Sequence, residues 1–360
     1  MIIYDLSKIA IISDLHCGVH SNSELWHKIL IDYGNWLKNE LTKKNVKDIF
    51  ILGDIFHDRE EIGVNTLSIC EQFFNIFTNS TEPFNIILLT GNHDSYLRDS
   101  SKINSISIFK GWPNITIIDK IETYKGQSKT LTFIPWGCEI ADCPQSDILF
   151  GHFEVNTFKM SSNKICEHGI DSEVLLEKSP LVFSGHFHTK DERTYPNGKI
   201  IYSGCPFSQN WGDMGLTKGY YLLDVKHDTY EFFENIVSPT YHKYNFTEFL
   251  DVNKWKEIKN IIPKNFIKIQ IDGEVDYTRL EKLLAVLNAL KPVEVSTNFS
   301  ETNKLRLDTN YEAISLDTKA LFLEYIETLD IAEIKDKVIA EITAIYDKSI
   351  TKVNITGATI

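Results

Sequence analysis

Five times before residue 190, a short apolar run breaks off into a cluster of carboxylate, amide and imidazole side chains. Ile9–Ser13 leads into Asp14-Leu15-His16, and Ile49–Leu52 into Gly53-Asp54-Ile55-Phe56-His57. Asn85–Leu89 leads through Thr90 into Gly91-Asn92-His93-Asp94. Ile148–Phe150 precedes Gly151-His152, and Leu181–Ser184 precedes Gly185-His186-Phe187-His188. Each run reads as a buried strand, and open α/β sheets bind ligands at the carboxyl ends of their strands. Glycine before most of the clusters lets the backbone turn sharply there. One such cluster is commonplace, whereas five with the same chemistry point to one shared site.

Amphipathic stretches separate these runs. Ser23–Leu41 predicts a helix with Leu25, Ile29, Tyr33, Trp36 and Leu37 on one side, and a second helix is expected over about 65–77. Lys129–Pro135, Lys199–Ser203 and Gly219–Val225 read as further strands, with a turn at Pro196-Asn197-Gly198. The alternation predicts an α/β (α+β) layered domain over residues 1–239. A length of 360 residues suits such a catalytic domain plus smaller additions.

Beyond Pro239 the texture changes. A helix over Lys254–Ile262, a strand over Phe266–Ile271, a helix over Asp276–Leu290 and a strand over Val293–Ser296 make a small α+β unit, 240–297. It carries nine Lys and Arg against eight Asp and Glu, in a chain whose net charge is −13. That balance fits a polyanion-facing module as well as an ordinary solvated surface. Residues 298–312 read as a polar linker, and 313–360 as two closing helices. Their apolar faces are Leu321, Phe322, Tyr325, Ile326 and Leu329, then Ile331, Ile334, Val338, Ile342 and Ile345. Such faces either pack back on the body or dock a partner helix.

No apolar run approaches the roughly 20 residues that span a bilayer, so no membrane role is expected. Met1–Ile12, interrupted by Asp5 and Lys8, reads as a first core strand and not as a signal peptide. A cytoplasmic protein is expected, with its six scattered cysteines reduced. The acidic balance argues against a whole-surface grip on nucleic acid, although metal ions, a local basic face or a partner can supply positive charge.

His and Asp together suit borderline metals such as manganese, iron or zinc, whereas all-oxygen sites suit magnesium or calcium. Seven candidate ligands (Asp14, His16, Asp54, Asn92, His152, His186 and His188) are too many for one ion and suit two sharing a carboxylate. Two ions roughly 3.5–4 Å apart can clamp a phosphoryl group for in-line displacement, which is phosphate-ester chemistry.

In this order, Asp-x-His, Gly-Asp-x-x-His, Gly-Asn-His-Asp, Gly-His and Gly-His-x-His resemble the motifs of calcineurin-like metallophosphoesterases. The resemblance covers about residues 8–225. It implies a β-sandwich flanked by helices, with two metals at the strand ends. One metal would take Asp14, His16, Asp54 and His188, and the other Asp54, Asn92, His152 and His186. His93 would be the imidazole that stabilises the transition state or protonates the departing oxygen.

Within that superfamily the chain is most similar to SbcD-type DNA-repair nucleases, notably the recombination endonuclease subunits of T4-like phages. Gly53-Asp54-Ile55-Phe56-His57, Ile134-Pro135-Trp136-Gly137-Cys138-Glu139 and Ser184–Thr189 carry this likeness. It implies Mn2+ as the activating ion, with Mg2+, Fe2+ or Zn2+ as alternatives, and 3′–5′ exonuclease and single-strand endonuclease activity. It further implies a DNA-capping role for 240–297, closing helices that dock an SbcC-type coiled-coil ATPase, and a homodimer. His57 stands where the family varies between His and Asp, a position linked to placing the DNA end. Asp58-Arg59 after it partly echoes the phosphatase form of the motif. A phosphomonoesterase or a cyclic-nucleotide phosphodiesterase would share every metal ligand.

Overall fold

The computed structural model describes residues 7–126, 129–161, 164–273, 275–300, 337–340 and 343. Two six-stranded sheets form the body. The first contains β1 (Lys8–Ile12), β2 (Asp48–Ile51), β3 (Asn85–Leu89) and β4 (Ile115–Ile118), all parallel. The second contains β5 (Glu122–Lys125), β6 (Thr130–Ile134), β7 (Ile148–His152), β8 (Leu181–Gly185), β9 (Asp191–Tyr195) and β10 (Gly198–Tyr202). Strands β11 (Gly219–Asp224) and β12 (Thr229–Glu234) return to the first sheet, whose order is β12-β11-β1-β2-β3-β4. The second is ordered β9-β10-β8-β7-β6-β5.

Ile9, Ile11, Phe50, Leu52, Ile87 and Leu89 of the first sheet pack against Phe133, Ile148, Phe150 and Phe183 of the second. Phe50 meets Phe133 and Phe150 edge-on, with ring centroids 5.2 and 5.1 Å apart. The first sheet's outer face is covered by the helices Glu24–Lys43 and Val64–Thr78, through Ile29, Tyr33, Leu37, Phe73, Phe74 and Phe77. This is the helix-flanked β-sandwich that the sequence implied. In the first helix, Trp26 takes the inward place expected of Leu25, which is 38% exposed. Trp26 stacks on Phe266 at 5.9 Å.

Strands expected from apolar runs form among the described residues, with the first spanning Lys8–Ile12 and residues 1–6 of its expected range lying outside them, whereas β4, β5, β9 and β12 were not foreseen. They lie at or next to sheet edges and carry half-exposed patterns such as Glu122-Thr123-Tyr124-Lys125. An edge strand buries less side chain, so it leaves a weaker apolar signature.

Farther on, Tyr241–Asn245, Phe266–Ile271 and Glu294–Phe299 make a three-stranded sheet with the helices Val252–Ile261 and Tyr277–Ala289. The two helices and the second and third strands follow the sequence reading, and the strand Tyr241–Asn245 adds to it. Among the described residues, those up to Ile269 group with Glu281–Ser296 as one compact unit, and those of Gln270–Leu280 with those after Ser296 as a second. The expected linker and closing helices lie outside the described residues, apart from 298–300 and the helical residues 337–340 and 343. Among the described residues, no helix is long and apolar enough to cross a membrane.

Candidate metal centre

The parallel ladder between β1 and β2 continues past the strands. Asp14 N–H donates to Gly53 O at 3.0 Å, His16 N–H to Asp54 O at 3.0 Å, and Cys17 N–H to Ile55 O at 2.8 Å. Loops tied this tightly adopt uncommon backbone: Asp14, His16 and Asp54 have φ of 57°, 47° and 56°, and His186 has 90°. Left-handed backbone at non-glycine residues is costly, and it concentrates at functional sites. Here it turns four candidate ligands toward one rim.

Two glycines are required by close approach. A Cβ on Gly53 would lie 2.4 Å from His152 Nδ1, and one on Gly91 would lie 2.2 Å from Asp54 Oδ1.

Asp54 is buried at the middle of the rim. Its Oδ1 faces His152 Nε2 at 3.4 Å and its Oδ2 faces His16 Nε2 at 3.7 Å. On the first side, His16 Nε2 and His188 Nε2 stand 2.9 Å apart, with Asp14 in the same cluster. On the second, His152 Nε2 and His186 Nδ1 each lie 2.8 Å from Asn92 Oδ1. His186 N–H also donates to Asp14 Oδ1 at 3.1 Å, which joins the two groups. All seven expected ligands therefore meet, drawn from both sheets.

The donor set fits divalent cations. His152 Nδ1 lies 2.6 Å from Leu52 O, a pure acceptor, so this nitrogen carries a proton. In a neutral imidazole Nε2 then presents a lone pair, here aimed at the lone pairs of Asn92 and Asp54. A proton or a cation between them resolves that arrangement. Burial opposes charge on His152, but Asp54 and Asp14 outweigh it and push the imidazole up to about 9. Despite burial, His152, His16 and His93 hold the Asp54 carboxyl well below the usual carboxylate range. Burial and His152 push His186 down to about 3, and burial and His188 hold His16 low. His186 and His16 are thus neutral beside an ionised carboxylate, as metal binding requires, whereas His152 carries a proton that a bound cation would have to displace.

His93 and His57 sit beside the first group. His93 N–H donates to Asp54 Oδ1 at 2.9 Å, and His93 Nδ1 lies 2.6 Å from the His57 carbonyl oxygen. That carbonyl fixes the Nδ1 proton and leaves His93 Nε2 for chemistry. The His57 ring stacks on His93 at 5.7 Å, and its Nδ1 lies 3.4 Å from His16 Nδ1. Burial and His93 keep the His57 imidazole low. Asp94 braces the loops after β2 and β3: it accepts N–H bonds from Ile55 and Phe56 at Oδ1 and from Gly91 at Oδ2.

Other contributors stand outside the five strand-end clusters. Trp136 stacks on His186 at 5.1 Å and donates from Nε1 to Arg98 O at 2.7 Å. Gln209 Nε2 donates to Asp14 O at 3.0 Å, and Lys218 Nζ donates to His188 O at 2.7 Å. Both lie far along the chain in loops outside any motif; a buried lysine is visible only once the fold is known.

A family profile described as calcineurin-like phosphoesterase matches residues 7–190. Exonuclease subunit 1 of Enterobacteria phage T4 is 26% identical over 340 residues, covering 89% of this chain and 93% of that protein. Among solved structures, an archaeal phosphodiesterase covers 63% of this chain and 99% of its own, at 14% identity and a TM-score of 0.35. GAP50, the anchor in the inner membrane complex of Plasmodium, covers 63% of this chain and 88% of its own, at 13% identity and a TM-score of 0.39.

Proposed function

The chain belongs to the calcineurin-like phosphoesterase family, and from that premise we propose that it is a two-metal phosphodiesterase that cuts DNA. The observation carrying the metal chemistry is Asp54, whose two oxygens face two separate imidazole groups. One ion would be held by Asp14, His16, Asp54 and His188, and the other by Asp54, Asn92, His152 and His186. Mixed imidazole and carboxylate donors suit manganese, iron or zinc, and among these we assign Mn2+ on the resemblance to SbcD-type nucleases. Bound divalent ions would supply an activated nucleophile at neutral pH and positive charge against the phosphoryl oxygens.

The chain's own residues do the rest. The Leu52 carbonyl orients His152, and Asn92 and Asp14 hold His186. His93, its Nδ1 proton fixed by the His57 carbonyl, delivers a proton from Nε2 to the departing oxygen. The His57 ring, stacked on His93, helps place the DNA end.

DNA is favoured over small phosphate esters by the phage exonuclease subunit. Its alignment covers 89% of the chain and so extends well past the phosphoesterase match at 7–190. We assign nuclease chemistry to 1–239, DNA capping to 240–297, a linker to 298–312, and docking of an SbcC-type ATPase to 313–360. The activities are 3′–5′ exonuclease and single-strand endonuclease, in a homodimer of the subunit working in recombination or repair in the cytoplasm. With a net charge of −13, DNA grip comes from the cap and the partner, so the free subunit should bind DNA weakly and with strong salt dependence.

The test compares Mn2+-dependent turnover of DNA with that of a small phosphate diester. Faster cleavage of DNA is expected; strong preference for the small ester would overturn the nuclease assignment and leave the metal site standing.

A further inference from the structure

We infer that the buried Lys218–Asp213 ion pair is a positioning device for one of the two ions, acting through the backbones of Asp14 and His188. The inference rests on the two-metal reading above.

Lys218 is 5% exposed, as is Asp213. Lys218 Nζ donates to Asp213 Oδ1 at 2.6 Å, to Cys205 Sγ at 3.0 Å and to His188 O at 2.7 Å. The three donor positions of the ammonium are thereby used. Asp213 Oδ2 accepts the backbone N–H groups of Gln209 at 2.8 Å and Asn210 at 3.2 Å. That contact sets the place of Gln209, whose Nε2 donates to Asp14 O at 3.0 Å. His188 O also accepts Cys205 N–H at 3.2 Å. One connected network therefore grips the backbone of two ligands that lie 174 positions apart (188 − 14).

Both gripped residues belong to the same cluster, Asp14, His16 and His188. Asp14 follows β1 of the first sheet and His188 follows β8 of the second, so the network also fixes how the sheets' loops meet. The second cluster, Asp54, His152 and His186, has its own supports in Leu52 and Asn92 and touches neither Lys218 nor Asp213. Burying an ion pair costs desolvation that well-packed apolar residues avoid, so a purely structural role explains it poorly. Groups that orient metal ligands typically change metal affinity about 10–100-fold when removed.

The experiment is Mn2+ titration by calorimetry, with electron paramagnetic resonance, on the full chain. Wild type should take two ions and give an exchange-coupled spectrum. Lys218→Met with Asp213→Asn removes both charges and leaves none unpaired. It should weaken one ion by about 10–100-fold, leave the other at wild-type affinity, and give an uncoupled six-line signal at one equivalent. Gln209→Met cuts only the link to Asp14 in a chain that keeps the ion pair, so it should weaken the same ion by a smaller factor. Two ions at wild-type affinity in both variants would overturn the inference, and so would equal weakening of both ions. A wild type that fails to take two ions would instead overturn the two-metal reading itself.

Discussion

The two sheets of the sandwich are alike in architecture and unequal in chemistry. Each has six strands and a parallel core of four. Loops of the first supply Asp14, His16, Asp54, His57, Asn92 and His93, whereas the second supplies His152 at the end of β7 and His186 and His188 from the loop after β8. Every oxygen donor at the rim thus comes from one sheet, and the other offers imidazole alone. The first sheet brings both carboxylates, Asp14 and Asp54, and the second brings rings that respond to their charge. His152, pushed up by Asp54 and Asp14, shows the coupling directly. The centre forms only where the sheets face each other, so the apolar interior and the polar rim depend on one packing event.

The sharpest way to break this comparison is at Asp54, which alone faces both imidazole groups. Asp54→Asn should reduce Mn2+-dependent hydrolysis by more than the roughly 10²–10⁴-fold that a lost acid or base costs, and weaken both ions. Calorimetry that finds both ions at wild-type affinity would dissolve the idea of a shared carboxylate. His93→Ala should lower kcat by about 10²–10⁴-fold while Mn2+ stoichiometry stays as in wild type. Full activity in that variant removes His93 from the mechanism and spares the metal site.

A pH series sharpens the link between the sheets. His152 sits near 9 instead of its ordinary 6.5, so its protonated form stabilises the folded chelated protein. That contribution is complete below about 6.5 and is lost as pH rises through 9. With the ions bound the proton is displaced, so Mn2+ affinity should climb over the same window by up to about tenfold per pH unit. Thermal melts with and without chelator, taken from pH 6 to 9, would show the two trends diverging; parallel curves would sink the coupling.

Asp94→Asn should have the smallest effect. It keeps one acceptor for Ile55 and Phe56 but turns an amide toward the Gly91 N–H, which should lower stability by about 1–3 kcal/mol. An unchanged melting temperature would show that the loops after β2 and β3 hold their places without this brace.

Much of this was legible in the chain. Apolar runs identified every interior strand, because burial on both faces forces continuous hydrophobic sequence. The clusters that end them marked Asp14, His16, Asp54, Asn92, His152, His186 and His188, which meet at one rim, because few residue types offer such donors. Edge strands escaped, since Asp191–Tyr195 and Thr229–Glu234 need no such run. Leu25 was misjudged for Trp26 because helical periodicity alone does not say which neighbour the fold will bury. Lys218, Asp213 and Gln209 escaped because nothing local distinguishes a bracing lysine from a solvated one.

By itself the sequence determined which side chains form the centre, for donor chemistry is a property of residue type and strand-end spacing a property of the chain. Tertiary structure alone decided how they are divided. It turned the two oxygens of Asp54 toward different imidazoles, set the His57 carbonyl against His93 Nδ1, and brought Lys218 to His188. Those are contacts between loops of separate strands, and their distances exist only once the two sheets have closed on each other.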